Sequence, residues 1–296
     1  MKKILILFAF ALSTAFVKSQ ITITQTVGWL ESAYLKWNPV SGAESYRVYY
    51  SGNGITNKLI DTQLIRSYGS YFRADIPGLS AGNYTFKVVP VTNNTEGTGS
   101  TTSSVTVLPQ DRTGFAHSDG RIPGAYNLDG TLKANAVVLY ITQDTKNTVS
   151  LNVTGANVNP CIGIQTILDG FKKGNDTRPL AVRFIGNITD PSYLLNGDAV
   201  VENNKNASSS ITLEGIGSDA VINGWGIRIK NATNIEVRNL GFMLTDADEG
   251  DNLSLQQDNT YIWAHNNDLF YGKPGSDADQ VKGDGALDAK KSTHIT

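Results

Sequence analysis

The sequence predicts an all-β chain in two parts, an antiparallel β-sandwich followed by a parallel β-helix. Short runs that alternate apolar and polar residues follow one another up to Leu108. Beyond that point β-branched runs alternate with Asn and Gly corners, and the later runs repeat themselves. Only one segment has apolar residues at helical spacing, which leaves little room for helices.

The first part, residues 20–108, contains five alternating runs separated by turn residues. They are AYLKWNPV, SYRVYYSG, YFRADIPGL, GNYTFKVVPV and SSVTVL. Strands at this spacing predict an antiparallel sandwich. The runs resemble a fibronectin type III domain, which implies a spacer or docking module, and we expect Trp29 to pack within it. Residues 109–114, PQDRTG, are the predicted linker.

The second part, residues 115–296, contains an internal repeat. Aligning SITLEGI from Ser210, NIEVRNLGF from Asn234 and TYIWAHNNDLF from Thr260 gives steps of 24 and 26 residues. A second alignment places IRIK, LSLQ and ALDA in register, with ALDA beginning at Ala286 after steps of 26 and 33. Repeats of this size predict stacked β-helix coils, because each coil buries its apolar face only against its neighbours. An array of β-sandwiches is the alternative, but it requires tight hairpin turns.

One amphipathic helix is predicted within residues 163–174, GIQTILDGFKKG. Its apolar residues fall on one side at helical spacing. They are Ile164, Ile167, Leu168 and Phe171. We expect a single such helix either to cap one end of the β-helix or to pack against its side.

The composition and the N-terminal segment limit the functions that this chain can have. The 25 basic and 27 acidic residues give no electrostatic case for nucleic acid. Residues 1–19 carry two lysines and an apolar run too short to cross a bilayer, which predicts a secretory signal peptide, with a retained anchor as the alternative. We therefore expect a secreted, extracellular monomer with no membrane span. The lone Cys161 cannot form an internal disulfide and is expected to be buried.

Four ordered segments of the second part resemble secreted Ca²⁺-dependent pectate lyases, polysaccharide lyase family 1 of the pectate lyase/Amb allergen superfamily. They are RPLAVRFIGNI, SSSITLEGIGSDAVINGWGIRIKNATNIEVRNLGF, DEGDNLSLQQDNTYIWAHNNDLF and GDGALDAKK. The resemblance covers residues 179–296, with a weaker lead-in from Gly114. It implies a right-handed parallel β-helix of the pectin lyase-like fold and cleavage of α-1,4-linked polygalacturonate by β-elimination to 4,5-unsaturated products.

The chemistry of that reaction explains why acidic residues are wanted. Elimination removes the carbon-5 proton beside a carboxylate, and a divalent cation on that carboxylate withdraws charge. Ca²⁺ suits the task because it takes six to eight oxygen ligands in loose geometry. The resemblance implies that Asp251, Asp284 and Asp288 bind Ca²⁺, with Glu249 as a fourth candidate. From the residues alone, the two aspartates of GDGALDAKK could equally be an acid–base pair or a solvated turn.

The residues around these aspartates were also considered. Lys282 and Lys290 are candidates for contacting the anionic substrate, although exposed lysines at a strand end are common. No function is transferred to His265, because the family shows Trp-Ile-Asp-His where this chain has WAHN. Trp225 and Trp263 are expected to be structural. Four aspartates are expected to be surface charge: Asp246, Asp248, Asp277 and Asp279.

The catalytic base remains unassigned. In the family it is an arginine downstream of the second aspartate motif, so we expect it beyond Thr296, with this chain as the N-terminal part of a longer enzyme and inactive alone. Two other functions stay open. One is a β-helix that binds acidic polysaccharide through calcium without cleaving it, and the other is a structural adhesin.

Overall fold

The computed structural model describes residues 20–247, 250–273 and 285–296. The predicted signal peptide, residues 1–19, lies outside the described residues. Across the described ranges, strands dominate and no helix is both long and apolar enough to cross a membrane. The prediction of an all-β chain is confirmed.

The first part of the chain forms two antiparallel sheets, with strand orders β1-β2-β6-β5 and β10-β7-β3-β4. Its strands are β1 (Ile23–Gly28), β2 (Ser32–Trp37), β3 (Ser45–Gly52), β4 (Ile55–Leu59), β5 (Ile65–Ser67), β6 (Phe72–Pro77), β7 (Gly82–Thr92), β8 (Thr95–Glu96), β9 (Ser100–Thr101) and β10 (Val105–Val107). Alternate residues such as Leu35, Val48 and Phe86 point inward and form one core between the sheets. The five predicted runs are strands β2, β3, β6, β7 and β10, and the structure adds β1, β4, β5, β8 and β9, which were not predicted.

The second part is a stack of parallel coils. Its strands are β11 (Val137–Ile141), β12 (Ser150–Leu151), β13 (Cys161–Ile162), β14 (Leu180–Thr189), β15 (Asp198–Val201), β16 (Ile211–Asn223), β17 (Gly226–Lys230), β18 (Thr233–Arg238), β19 (Gly241–Met243), β20 (Leu253–Gln256), β21 (Asn259–His265), β22 (Asp268–Leu269), β23 (Leu287–Ala289) and β24 (Ser292–Ile295). The long sheet has the order β11-β14-β16-β18-β21-β24, and the short sheet has the order β15-β17-β20-β23. The far end of β16 pairs with β19, and β19 with β22, in a third parallel row. The β-helix prediction is confirmed.

The register between coils differs from the predicted alignment by one residue at two places. Ile211 pairs with Ile235 as predicted, but Ile235 pairs with Ile262, one position beyond the predicted match. Likewise Leu253 pairs with Leu287 rather than with Ala286. A slip of one residue exchanges the two faces of a strand, so the correction matters for the site.

A recurring corner explains the first difference. The structurally equivalent residues Asn234, Tyr261 and His294 all have left-handed backbone, with φ of 56°, 58° and 56°. Only the first of them is an Asn, which tolerates this conformation more readily than Tyr or His. The backbone conformation of the corner therefore repeats from coil to coil, although the residue type at that position changes.

The predicted helix is confirmed as α1 (Ile164–Phe171). Its four apolar residues are buried in the β-helix core. The Gln165 amide closes the exposed edge of β15: Nε2 donates to the Val200 carbonyl at 3.2 Å, and Oε1 accepts from the Val200 N–H at 2.7 Å. The helix thus covers the first strand of the short sheet. Cys161 next to it is buried, as expected.

The two parts of the chain are packed against each other. Ile216 of β16 belongs to the core of the sandwich, with Tyr140 and Ile185 packed against it. Arg66 of β5 pairs with Asp219 at 2.7 Å. Within the predicted linker, Arg112 forms a buried ion pair with Glu31. The boundaries proposed from the sequence stay a prediction, but the segment between the parts is held in place.

Candidate functional site: the outer face of the short sheet

The short sheet presents polar residues on its outer face because its alternate residues are apolar and face the core. Ile227, Leu253 and Leu255 point into the β-helix. Between them, Arg228, Ser254 and Asp288 lie opposite one another on three successive coils. The corrected register is what places Asp288 on the outer face.

Asp251 lies two residues before β20 at the entrance to this sheet, with only 3% of its surface exposed. Gly285, in the segment that leads into the next coil, passes directly against it. A Cβ atom at Gly285 would lie 2.5 Å from Asp251 Oδ1, so any larger residue there would push the carboxylate aside. The carboxylate of Asp251 therefore touches the chain segment that carries the GDGALDAKK motif.

Asp288 is the second predicted ligand that the structure describes. Its carboxylate pairs with Lys290 Nζ at 2.8 Å, and that hydrogen bond lowers the pKa of Asp288. In register Asp288 faces Ser254, three residues along the coil from Asp251, which is about 10 Å at the usual rise per strand residue. Asp288 therefore lies on the outer face of the sheet, whereas Asp251 precedes the sheet and is separated from Asp288 along the coil.

The remaining predicted site residues, Glu249, Asp284 and Lys282, lie outside the described residues. So do Asp248, Asp277 and Asp279, whereas Asp246 pairs with Lys273 at 2.5 Å. Over the ranges that the structure describes, no three His, Cys, Asp or Glu side chains are grouped closely enough to hold a metal. The calcium assignment therefore stays a prediction that depends on the two undescribed carboxylates.

Sequence reasoning gave little weight to a set of cations on the same face. Arg228 is buried, and its Nε lies 3.6 Å from Oδ2 of Asp198. Lys230 lies two residues further along β17 and pairs with Glu202 at 3.2 Å. The alternation of GIRIK could have shown them, because Arg228 and Lys230 must share the face opposite Ile227. Arg228, Lys230 and the exposed Lys290 therefore place positive charges on the same face as Asp288.

The outer face of the long sheet carries a buried ladder of opposite charges. Arg183, Glu214, Arg238 and His265 lie opposite one another on successive coils. Glu214 accepts hydrogen bonds from Arg183 at 2.9 Å and from Arg238 at 2.7 Å and 2.9 Å. Burial alone would raise the pKa of Glu214, but the charges of Arg238 and Arg183 lower it. These side chains pair with each other and so serve to join the coils.

His265, Trp225 and Trp263 are packed against other side chains of the β-helix. The His265 ring stacks on Trp263 with centroids 3.6 Å apart, and its Nε2 lies 3.1 Å from Glu236 Oε1. Trp263 and Trp225 are 5% and 1% exposed, which confirms the expectation that they pack. Trp29 is different: 61% of its surface is exposed, so the expectation that it packs within the sandwich was wrong.

Comparison with known proteins agrees with a β-helix of the pectate lyase kind. No protein-family model matches the chain. It is 33% identical over 112 residues to pectate lyase A of Emericella nidulans, covering 36% of this chain and 32% of that protein. The chain thus spans about a third of the length of that curated relative, and is similar to pectate lyases over that part.

Two solved structures resemble separate parts of the chain. A pectate lyase from Bacillus sp. N165, solved in complex with trigalacturonate, matches with a TM-score of 0.45 and 22% identity over 62% of this chain and 50% of that one. An Fn3-like protein from Clostridium thermocellum matches with a TM-score of 0.23 and 23% identity, covering 31% of this chain and 97% of that one.

Proposed function

We propose that this protein is a secreted pectate lyase-like protein that binds polygalacturonate on the outer face of its short sheet and cleaves it by calcium-assisted β-elimination. The observation that carries the proposal is the contact between the Asp251 carboxylate and the backbone of Gly285. It brings the first predicted ligand against the motif that holds the other two. The identity with pectate lyase A, over part of both chains, supports the same reading.

The donor chemistry fits the metal. Asp251 and Asp288 supply carboxylate oxygens, which Ca²⁺ prefers, and a complete ligand set would add Asp284 and Glu249. Calcium bound here would withdraw charge from a substrate carboxylate and so ease removal of the adjacent proton. The protein's own Lys290 and Lys230, and Lys282 by proposal, would hold further carboxylates of the polymer along the same face.

The domain organisation belongs to the same proposal. Residues 1–19 would direct export, residues 20–108 would form a fibronectin type III-like module, and residues 115–296 would form the lyase-like β-helix. The protein would act outside the cell as a monomer. The internal packing of Ile216 against the sandwich supports a fixed rather than a tethered module.

Production of unsaturated uronate from polygalacturonate, followed by ultraviolet absorbance, tests the function. In a protein that joins this chain to the downstream region that supplies the arginine base in the resembled family, we expect product to appear with calcium and to stop on addition of a chelator. Asp251→Asn should reduce the rate at limiting calcium at least about tenfold, equivalent to about 1.4 kcal/mol. The matched control is Asp258→Asn, an exposed aspartate at a coil corner. Product formation that ignores both the chelator and Asp251→Asn would refute the proposal.

A further inference from the structure

A cavity of about 350 Å³ lies between the sandwich and the outer face of the long sheet. Both parts of the chain contribute to its walls. Its walls include Trp29, Tyr34, Arg73, Arg238, His265 and Asn266. Clefts between packed modules are common positions for small-molecule sites, and this one lies on a different sheet from Asp251.

The cavity has aromatic walls. Trp29 is 61% exposed, an unusual position for the largest apolar side chain in a part of the chain that has a well-filled core. Tyr34 also lines the cavity, with the Arg73 guanidinium 4.2 Å from the centre of its ring. An exposed indole beside a concave surface offers a flat apolar face to a ligand.

The charged residues of the cavity are already held in ion pairs, and one of them, Glu31, pairs with Arg112 outside the cavity lining. Arg73 Nη2 lies 2.7 Å from Asp75 Oδ1, and Arg238 Nη2 lies 2.7 Å from Glu214 Oε2. Asp75 and Glu214 are buried, at 8% and 2% exposure. An anionic ligand would have to displace a buried carboxylate from its arginine, which leaves a buried charge unpaired and is costly. The cavity therefore disfavours uronates.

The polar groups that remain suit hydroxyl groups. His265 Nδ1 lies 2.8 Å from Asn266 Oδ1, and the Asn266 amide is exposed at the cavity. Amide and paired guanidinium–carboxylate groups can donate and accept at once, which matches hydroxyls that also do both. A pyranose ring combines an apolar face of C–H groups with a rim of hydroxyls.

We propose that this cavity binds a neutral saccharide and gives the protein a second, calcium-independent contact with polysaccharide. The indole of Trp29 would pack on the apolar face of the sugar, while Asn266 and the outer edges of the arginine pairs would bind its hydroxyls. The proposal does not depend on the calcium site, because that site lies on the short sheet.

Calorimetric titration of the full chain in chelator tests the proposal, with galactotetraose, xylotetraose and cellotetraose as neutral probes and trigalacturonate as the anionic one. We expect at least one neutral probe to bind with a Kd on the order of 1 mM, and Trp29→Ala to weaken it about tenfold. Trp29→Phe should retain most of the affinity because a flat ring remains. Phe115→Ala, which removes an aromatic that is 76% exposed and lies away from the cavity lining, should have no effect.

Three results would overturn the inference. One is the absence of heat or saturation-transfer signal from all neutral probes. Another is equal affinity in Trp29→Ala and wild type. The third is a preference for trigalacturonate in chelator that is lost in Trp29→Ala, which would make the cavity an anion site. Asp251→Asn should leave neutral-sugar binding unchanged, so failure here and failure of the lyase proposal are separable.

Discussion

Replacing Glu236 by Gln tests the idea that the charged residues behind the long sheet hold the coils together. Glu236 is 1% exposed. Its Oε2 accepts a hydrogen bond from Thr212 Oγ1 at 2.7 Å, while Oε1 lies 3.3 Å from Arg238 Nη1 and 3.1 Å from His265 Nε2. The carboxylate thus links three neighbouring coils.

The size of its contribution follows from its ionisation. Burial alone would raise the pKa of Glu236, but the charge of Arg238 and the hydrogen bonds from His265 and Thr212 lower it from 4.5 to about 2. At 1.36 kcal/mol per pKa unit, this corresponds to roughly 3 kcal/mol of stability. Because the folded pKa is the lower one, this stability is present above about pH 5 and is lost as the pH falls from 4.5 towards 2.

The Gln side chain has the shape of the protonated acid, so Glu236→Gln should destabilise the protein by about 3 kcal/mol at neutral pH. The variant should also lose less stability than wild type between about pH 5 and pH 3, because its side chain cannot titrate. Urea unfolding followed by tryptophan fluorescence measures both quantities. Glu44→Gln, at an exposed glutamate, is the control and should change stability by less than about 0.5 kcal/mol.

The reasoning would be refuted if Glu236→Gln unfolded at the same urea concentration as wild type at neutral pH and followed the same pH dependence. In that case the neutral amide would satisfy Arg238 as well as the carboxylate does. Hydrogen bonds, without a contribution from charge, would then be what joins the coils at this position.

Three further predictions concern packing and the site. Arg66→Ala should lower the free energy of unfolding of both parts together by about 2–3 kcal/mol, because a guanidinium only 10% exposed is lost from the interface. The control Asp219→Ala removes a carboxylate that is 41% exposed and should cost about 1 kcal/mol. Phe171→Ala should cost about 3–5 kcal/mol in urea unfolding, because the ring is fully buried beneath α1. Gly285→Ala should weaken calcium binding about tenfold in a titration while leaving the urea midpoint unchanged, because its Cβ would displace the Asp251 carboxylate.

The strands and the helix could be predicted from the sequence because their signal is local. Leu35 and Trp37 alternate with polar residues in β2, and Ile164 and Phe171 fall on one side of α1. The coil register was only partly predictable. Tyr261 adopts the left-handed backbone conformation that Asn234 has one coil earlier, and because Tyr has no local preference for that conformation, the sequence does not predict it.

The charge ladder could have been predicted. Glu214 and Arg238 are 24 residues apart, the same step that relates Ile211 to Ile235, so the repeat already placed opposite charges in register. The cleft around Trp29 could not, because it forms where the sandwich meets the β-helix and no sequence repeat relates the two. The same holds for Arg66 and Asp219, whose pairing depends on how the two parts dock.

Calorimetric titration of trigalacturonate into the full chain, with and without calcium, measures whether the short sheet binds polygalacturonate through the metal. We expect binding that requires calcium, disappears in chelator, is weakened at least about tenfold by Asp251→Asn and is unchanged by Asp258→Asn. Binding of equal affinity in chelator, or in Asp251→Asn with calcium present, would contradict this expectation and would remove the short sheet as the polygalacturonate site.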